Sequence, residues 1–280
     1  MKHKSETDPA LLPSWKKEIL RAFGIKPPEP IEVVILKGLL KFRGVSSQSN
    51  SDEFREDWRF LKYCAENMHK SHSQNFQDLF VQFMLHNQHG GFFVDFGATD
   101  GIIMNNSYSL EKTFGWAGIL AEPARCWQQN LKSNRNCAID FRCVWKKTGD
   151  LLAFKEVVGA AELSTIEHYT ESDGHGSARI ETGVDYQVET VSFNDLLKQH
   201  NAPTTIDYLS IDTEGSELEI LQAFNFDAYD IRIITVEHNF TPNREKIYSL
   251  LTSKGYVRKL KALSLWDDWY VKNDLCNLSQ

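Results

Sequence analysis

The sequence predicts an α/β protein with a mostly parallel sheet, and three observations support this fold class. Short apolar runs alternate with helical patterns from Ser73 onward, which is typical of a parallel sheet with helices on both faces. Several of the apolar runs end in Gly or in acidic side chains. The last two runs have no helix between them, which predicts a hairpin and one antiparallel pair.

The predicted elements follow in chain order from this alternation. Strands are predicted at 92–96, 118–121, 139–144, 206–211, 231–236, 257–263 and 268–272. Helical periodicity lies near 77–85, 110–114, 126–134, 193–199, 216–223 and 244–254. The 280 residues are enough for one large domain with an extension.

Composition excludes some classes of partner. The net charge is −7, with a pI near 5.7, whereas nucleic-acid binding needs clustered Lys and Arg. A small polar or carbohydrate partner fits this charge better. The five cysteines include no C-x-x-C pair, and no apolar run is long enough for a signal peptide or a membrane span. We therefore expect reduced thiols and a cytoplasmic protein.

Residues 1–70 form a predicted helical extension, and residues 71–280 form the main domain. Prolines interrupt short helical patterns in the extension, and the stretch 46–52 resembles a linker. Between residues 11 and 43 there are seven basic residues and three acidic ones. This excess suits an anionic membrane surface, a partner subunit or an acidic polysaccharide, although a helix packed on the main domain or on a second copy of the chain is the simpler alternative. The oligomeric state is left open.

The run GGFFVDFGATDG at residues 90–101 is a strand followed by a glycine-rich turn. A dinucleotide-binding turn has glycine where this chain has Asp95. A carboxylate there repels a phosphate but accepts hydrogen bonds from an ammonium or hydroxyl group, and S-adenosylmethionine (SAM) offers both. Gly97 and Gly101 allow the backbone to approach such a ligand closely. The alternative is an ordinary strand-turn-helix junction.

Glu122 and Pro123 end the next predicted strand. An acidic residue at this position accepts hydrogen bonds from ribose hydroxyls in nucleotide-binding α/β folds. Glu122 is therefore the predicted ribose ligand, with helix capping before Pro123 as the alternative.

A second group of polar side chains follows the fourth and fifth strands. Asp212 ends one strand, and Glu237, His238 and Asn239 end the other. Because parallel neighbours lie ~5 Å apart, these side chains are expected to converge. Asp212, Glu237 and His238 are candidate catalytic residues that deprotonate a hydroxyl group, with His238 as the base, or candidate ligands of a divalent cation such as Mg²⁺. Glu214 belongs to this group or merely begins a helix, as does Glu217.

Residues 162–187 are polar and show little periodicity. A loop of this length is typical of a lid or of a disordered segment. The sequence therefore predicts either a substrate lid that carries His168 and His175 or disorder.

Six collinear motifs between residues 73 and 272 resemble the FkbM-type SAM-dependent methyltransferases: SQNFQDLFV, GGFFVDFGATDGIIMNNSYSLE, GWAGILAEP, IDYLSIDTEGSELEIL, ITVEHN and WDDWYV. The resemblance implies a Rossmann-like class I methyltransferase fold with a seven-stranded sheet and an antiparallel last strand. It also implies O-methylation of a hydroxyl group, for example on a sugar during polysaccharide biosynthesis. Residues 1–70 match no pattern of this family.

The same resemblance implies a set of cofactor-binding residues. Asp95, Gly97, Ala98, Asp100 and Gly101 would surround the methionine part of SAM, Glu122 and Pro123 the ribose, and Cys143 the adenine. Gln77 and Asp78 would complete the pocket. Two alternatives are a nicotinamide oxidoreductase, which Asp95 disfavours, and a SAM-binding scaffold or regulatory subunit that has lost catalysis.

Overall fold

The computed structural model describes residues 52–276, and a seven-stranded sheet forms its centre. The strands lie in the order β10-β11-β9-β8-β1-β2-β3. Their bounds are β1 Phe92–Phe96, β2 Ala117–Ala121, β3 Ala138–Asp140, β8 Thr205–Ile211, β9 Asp230–Glu237, β10 Tyr256–Lys259 and β11 Asp267–Lys272. Residues 1–51, including the basic stretch 11–43, lie outside the described residues.

Strand direction confirms the predicted fold class. Strands β3, β2, β1, β8 and β9 pair in parallel. Strand β11 is antiparallel to both β9 and β10, so the predicted hairpin and the antiparallel last strand are both confirmed. Five strands therefore present their carboxyl ends at one edge of the sheet, together with the start of β11.

Nine α-helices accompany the strands within residues 52–276. Their bounds are α1 Asp52–Asn67, α2 Gln77–Met84, α3 Tyr108–Lys112, α4 Gln128–Asn134, α5 Gly176–Thr182, α6 Phe193–Gln199, α7 Glu217–Ala223, α8 Asn243–Ser253 and α9 Asn273–Cys276. None of the helices in this described part of the chain is long and apolar enough to cross a membrane. The boundary between two compact units falls inside α1, after Leu61.

Helices contribute to both faces of the central sheet. On one face, Leu196 of α6, Leu221 of α7 and Leu251 of α8 belong to the same buried apolar cluster as Tyr270 of β11. Side chains alternate along a strand, so Trp269 lies on the opposite face. There its ring stacks on Phe80 of α2, at a centroid distance of 4.7 Å.

A second sheet of four strands was not predicted. It has the order β4-β7-β5-β6, with β4 Cys143–Trp145, β5 Leu151–Val157, β6 Thr165–Ile166 and β7 Gly183–Ser192. The predicted strand 139–144 is therefore divided between two sheets. The predicted loop 162–187 was also wrong in part, because it contains β6, α5 and the start of β7. These strands are short or carry exposed polar side chains, so their apolar periodicity is weak.

Candidate functional site

The turn after β1 brings two strand ends into contact. Gly97 has a φ of +81°, and a Cβ atom there would lie 2.0 Å from the carbonyl oxygen of Asp212. The Gly97 N–H donates to the carbonyl oxygen of Ala121 at the end of β2. Glycine is required at this position both by the left-handed backbone and by the close approach.

Gly101 closes the same turn. Its φ is +82°, and a Cβ atom would lie 2.7 Å from side-chain atoms of Leu131 and Arg135. Asp100 accepts backbone hydrogen bonds from Ile102 and Ile103, both at 2.8 Å. Asp100 therefore shapes the turn from within, which leaves its predicted contact with a cofactor untested.

Asp95 is buried among hydrogen-bond donors. Its Oδ2 atom accepts from the Ser107 hydroxyl at 2.7 Å and from the Asn105 amide at 3.2 Å. The same amide donates to the carbonyl oxygen of Ala98 at 3.0 Å. Arg135 in turn donates to Asn105 Oδ1 at 2.8 Å. Burial raises the pKa of Asp95, while these donors and Arg135 oppose the rise.

Glu122 lies directly after β2, as predicted, and its side chain is buried. One carboxylate oxygen accepts from the Thr99 N–H at 2.9 Å and the other from the Ala124 N–H at 2.8 Å. Each oxygen keeps acceptor capacity for a further donor. Burial raises the pKa of Glu122 to about 7. Pro123 then leads the chain away from the strand end.

Gln77 and Asp78 play different parts. The Gln77 amide donates to Asp267 Oδ2 at 2.6 Å, at the start of β11. Asp78 accepts from the hydroxyls of Ser71 and Ser109 at 2.6 and 2.8 Å, respectively. Asp78 is completely buried, so it ties local segments together. The structure thus brings Gln77, but not Asp78, to the acidic edge of the sheet.

Cys143 begins β4 and belongs to an apolar cluster rather than to the central sheet. Its thiol donates weakly to the carbonyl oxygen of Val144 at 3.7 Å. Burial raises the pKa of Cys143 to about 12, and the nearby negative charge of Glu122 adds to the rise. The cluster also contains Ala124 and Trp145 and packs against Trp127. Cys143 therefore lies in an apolar wall near Glu122.

Three carboxylates converge where β8 and β9 end. One oxygen atom from each of Asp212, Glu214 and Glu237 lies within 4.8 Å of the others. Burial, followed by the charges of Asp267 and Glu217, raises the pKa of Asp212 to about 8. Glu214 and Glu237 also have pKa values well above the ordinary range, first because of burial. A hydrogen bond joins Asp212 to Glu237, so the group retains protons in the absence of a cation.

Asp267 extends this acidic group and was missed in the sequence. It is the register partner of Glu237 across the antiparallel pair of β9 and β11. Burial raises its pKa to about 7. The predicted hairpin pairs β11 with β10 and gave no signal for this contact, which depends on the insertion of β11 between β10 and β9.

His238 lies outside the carboxylate group, which differs from the prediction. Its Nδ1 atom accepts from the Phe240 N–H at 3.0 Å, and this assigns the proton to Nε2. Nε2 faces Asp268 Oδ1 at 3.7 Å. Burial lowers the pKa of His238. Nε2 has no hydrogen-bond partner among the described residues, and the lone pair of Nδ1 is engaged by the Phe240 N–H. Glu214 occupies the third position predicted for His238.

Arg179 connects the predicted lid segment to the carboxylates. Its side chain is completely buried and pairs with Glu214 at 2.7 Å and with Asp173 at 2.9 Å. It also donates to the carbonyl oxygens of Leu163 and Tyr169. His168 is exposed and His175 is half-buried, and neither belongs to the carboxylate group. No signal in the sequence marked Arg179, because its partners are distant along the chain.

The edge of the sheet therefore offers two kinds of chemistry. Asp95 and Glu122 are fixed acceptors at the ends of neighbouring strands β1 and β2. Asp212, Glu214 and Glu237 form a group that holds protons and suits a cation or a hydroxyl proton.

Comparison with known proteins identifies the family. The profile of the methyltransferase FkbM domain matches residues 95–258, more than half of the chain. Two similar structures are the methyltransferase FkbM from Methylobacillus flagellatus KT (15% identity, TM-score 0.44) and the precorrin-6y C5,15-methyltransferase from Geobacter metallireducens GS-15 (11% identity, TM-score 0.38). The alignments cover 91% and 69% of this chain and 65% and 85% of those chains, respectively. No curated protein matches the chain. The profile match, which includes Asp95, Glu122 and the carboxylate group, shows that the chain belongs to the FkbM methyltransferase family.

Proposed function

We propose that the protein is a SAM-dependent O-methyltransferase that methylates a hydroxyl group of a small polar or carbohydrate acceptor, such as a sugar of a surface polysaccharide. One observation carries this proposal. Buried acceptors Asp95 and Glu122 lie at one edge of the sheet, and proton-holding carboxylates follow the neighbouring strands β8 and β9 at the same edge. A cationic nucleoside cofactor and a hydroxyl acceptor together match this arrangement.

The residues at the ends of β1 and β2 fit SAM by their chemistry. Glu122 has unused acceptor capacity, and ribose hydroxyls are donors. Asp95 places a second acceptor one strand away, which suits an ammonium group. The excess of carboxylates also favours a ligand that carries positive charge. When bound, SAM would supply a methyl group attached to a sulfonium. The nucleophilic oxygen would attack that methyl carbon, with S-adenosylhomocysteine as the leaving group.

Asp212 is the proposed base in place of His238. It is half-buried, whereas Glu237 is buried and shares a hydrogen bond with it. With a pKa raised to about 8, Asp212 in its ionised form is a stronger base than an ordinary carboxylate. The acceptor hydroxyl gives its proton to Asp212, and Glu237 stabilises the carboxyl pair. His238 holds the backbone of Phe240 in place.

A metal-assisted version uses the same carboxylates. Asp212, Glu214 and Glu237 offer hard oxygen ligands of the kind that Mg²⁺ and Ca²⁺ prefer. A bound cation would lower the pKa of the acceptor hydroxyl by coordination. Metal titration distinguishes this version from direct proton transfer to Asp212.

An exposed aromatic ring supports a carbohydrate acceptor. Phe240 is 71% exposed and lies three residues after Glu237, the last carboxylate of β9. A sugar has C–H faces that pack on an aromatic ring and hydroxyl groups that donate to carboxylates. Binding sites commonly combine aromatic walls with a few polar groups in this way.

Calorimetric titration of the EDTA-treated protein with S-adenosylhomocysteine tests the cofactor assignment. We expect binding without metal, and we expect Asp95→Ala to abolish it because a buried acceptor is lost. Repeating the titration with Mg²⁺, Mn²⁺ and Ca²⁺ tests the carboxylates. The absence of binding by the wild-type protein under every condition would contradict the proposed function.

A screen with SAM and a panel of methyl glycosides tests the acceptor class, with formation of S-adenosylhomocysteine as the measured product. Asp212→Asn is expected to remove turnover while leaving the affinity for S-adenosylhomocysteine within about twofold. Full activity of Asp212→Asn would move the role of base to another residue.

A further inference from the structure

Two buried side-chain atoms near the proposed cofactor carboxylates have no hydrogen-bond partner within residues 52–276. They are Oδ1 of Asn106 and Nε1 of Trp127. Buried polar groups without a partner are rare in folded proteins, and each one calls for an explanation. One of the two atoms is an acceptor and the other is a donor.

Asn106 lies beside Asp95. Its side-chain amide donates to the Ser210 hydroxyl at 2.9 Å, and Ser210 is the register partner of Asp95 and is hydrogen-bonded to it. The neighbours of Asn106 in sequence, Asn105 and Ser107, both donate to Asp95. Asn106 is 7% exposed. Its unpartnered oxygen is therefore a second buried acceptor next to an acidic one, a pair that suits an ammonium group.

Trp127 lies five residues after Glu122, and its backbone N–H donates to the carbonyl oxygen of Ala124 at 3.3 Å. Its ring packs against the apolar cluster that contains Ala124 and Cys143. The Ala124 N–H donates to Glu122 at 2.8 Å, and the charge of Glu122 adds to the rise in the pKa of Cys143 that burial causes, so two residues of this cluster are close to the carboxylate. The indole offers a single N–H donor inside an apolar wall. A nucleobase, with a flat face and ring-nitrogen acceptors, has the matching chemistry.

We infer that Asn106 and Trp127 bind the two ends of the cofactor, with Asn106 Oδ1 accepting from the ammonium group and Trp127 Nε1 donating to a ring nitrogen of adenine. This inference rests on the proposed use of SAM. It adds two residues to the predicted set and explains why both atoms lack a partner within the described part of the chain. It also assigns opposite ends of the ligand to β1 and to β2.

Two ligands test the assignment separately. S-adenosylhomocysteine contains both ends of the cofactor, whereas 5′-methylthioadenosine lacks the amino-acid end. Asn106→Leu is expected to weaken binding of S-adenosylhomocysteine about 10- to 100-fold, because a charge-assisted hydrogen bond is lost. The same variant should bind 5′-methylthioadenosine as the wild type does. Trp127→Phe keeps the apolar ring and is expected to weaken both ligands about three- to tenfold. Calorimetric titration measures all four affinities.

Matched controls separate these roles from general loosening of the fold. Gln82→Leu replaces another buried amide without a partner in the described chain, in α2. Trp116→Phe removes an indole N–H that donates to the Gln88 carbonyl oxygen, at the amino end of β2. Both controls should retain the affinity of the wild type. Asn106→Asp keeps an acceptor but loses the amide that donates to Ser210. It should weaken binding of S-adenosylhomocysteine less than Asn106→Leu does, which covers the case in which Asn106→Leu does not fold.

The outcomes distinguish failure of this inference from failure of the proposed function. A wild-type protein that binds neither ligand would contradict SAM dependence itself. Wild-type binding of both ligands with unchanged affinity in Asn106→Leu and Trp127→Phe would overturn the inference alone. Equal weakening of both ligands by Asn106→Leu would overturn the placement of Asn106 at the amino-acid end.

Discussion

Buried acids have different surroundings in the two halves of the sheet edge that is formed by the carboxyl ends of the parallel strands. At the ends of β1 and β2, Asp95 and Glu122 each accept hydrogen bonds from donors fixed by the surrounding chain. At the ends of β8 and β9, Asp212, Glu214 and Glu237 face one another, and the charges of neighbouring carboxylates add to the rise in pKa that burial causes in both halves. The first arrangement stabilises acceptors before a ligand arrives, whereas the second stores protons that a cation or a hydroxyl group can exchange.

The largest effect is expected from Arg179, the buried cation on the carboxylate side. Arg179→Met would leave Glu214 and Asp173 without their shared partner. Breaking a buried ion pair on one side costs about 3–5 kcal/mol. Urea denaturation should therefore show a loss of this size in the free energy of unfolding. Arg179→Met/Glu214→Gln should recover part of it, because the uncompensated charge is removed.

Lys155→Met provides the control for this prediction. Lys155 pairs with Asp185, whose side chain is 53% exposed, and pairs in contact with water contribute less than about 1 kcal/mol. Equal losses in Arg179→Met and Lys155→Met would show that burial of the Arg179 pair is not what stabilises the carboxylate side.

The second prediction concerns the contact between the two halves. Gly97→Ala would place Cβ against the Asp212 carbonyl oxygen and would strain a left-handed backbone. We expect a loss of about 2–5 kcal/mol from overpacking and strain together, with loss of binding of S-adenosylhomocysteine. Gly149→Ala is the matched control, because its φ is +84° and no described atom lies within 4 Å of the added Cβ. Thermal denaturation of both variants should separate the loss of stability caused by the close contact from the loss caused by backbone strain.

The smallest effect is a pH dependence of stability. Glu122 has a pKa of about 7 in the folded protein, above its value of about 4.3 in an unfolded chain. Between these values the folded state binds more protons, so the free energy of unfolding falls as pH rises from about 5 to 7. Glu122→Gln should reduce this slope by up to about 1.4 kcal/mol per pH unit.

The ionisation of Glu122 is also expected to affect ligand binding. Ionised Glu122 accepts ribose hydroxyls better than the protonated form does, so the affinity for S-adenosylhomocysteine should rise from pH 6 to pH 8 in the wild type and not in Glu122→Gln. Urea denaturation and calorimetry at several pH values measure both effects. A slope that is identical in the two proteins would show that the Thr99 and Ala124 donors outweigh burial.

The predicted parts of the site are those that depend on strand ends. Asp95, Gly97 and Glu122 could be placed because each lies at the end of a buried apolar strand or directly after it, and Asp212 and Glu237 could be paired because parallel neighbours end together. The ring orientation of His238 could not be predicted, since it depends on a hydrogen bond from Phe240 and on Asp268 in β11. Sequence spacing reports which edge a side chain reaches and does not report its direction.

The sequence by itself determined the central sheet, its antiparallel last strand and the acidic residues at the carboxyl ends of its strands. Each of these was predicted from runs of neighbouring residues and from the alternation of strands and helices along the chain. Only the tertiary structure decided that residues 143–192 contribute a second sheet, that Arg179 pairs with Glu214, and that Asn106 Oδ1 and Trp127 Nε1 lack hydrogen-bond partners in the described chain. These features depend on contacts between residues far apart in the chain. Such contacts are selected by packing and by the need to satisfy buried polar groups, and no local pattern encodes either of them.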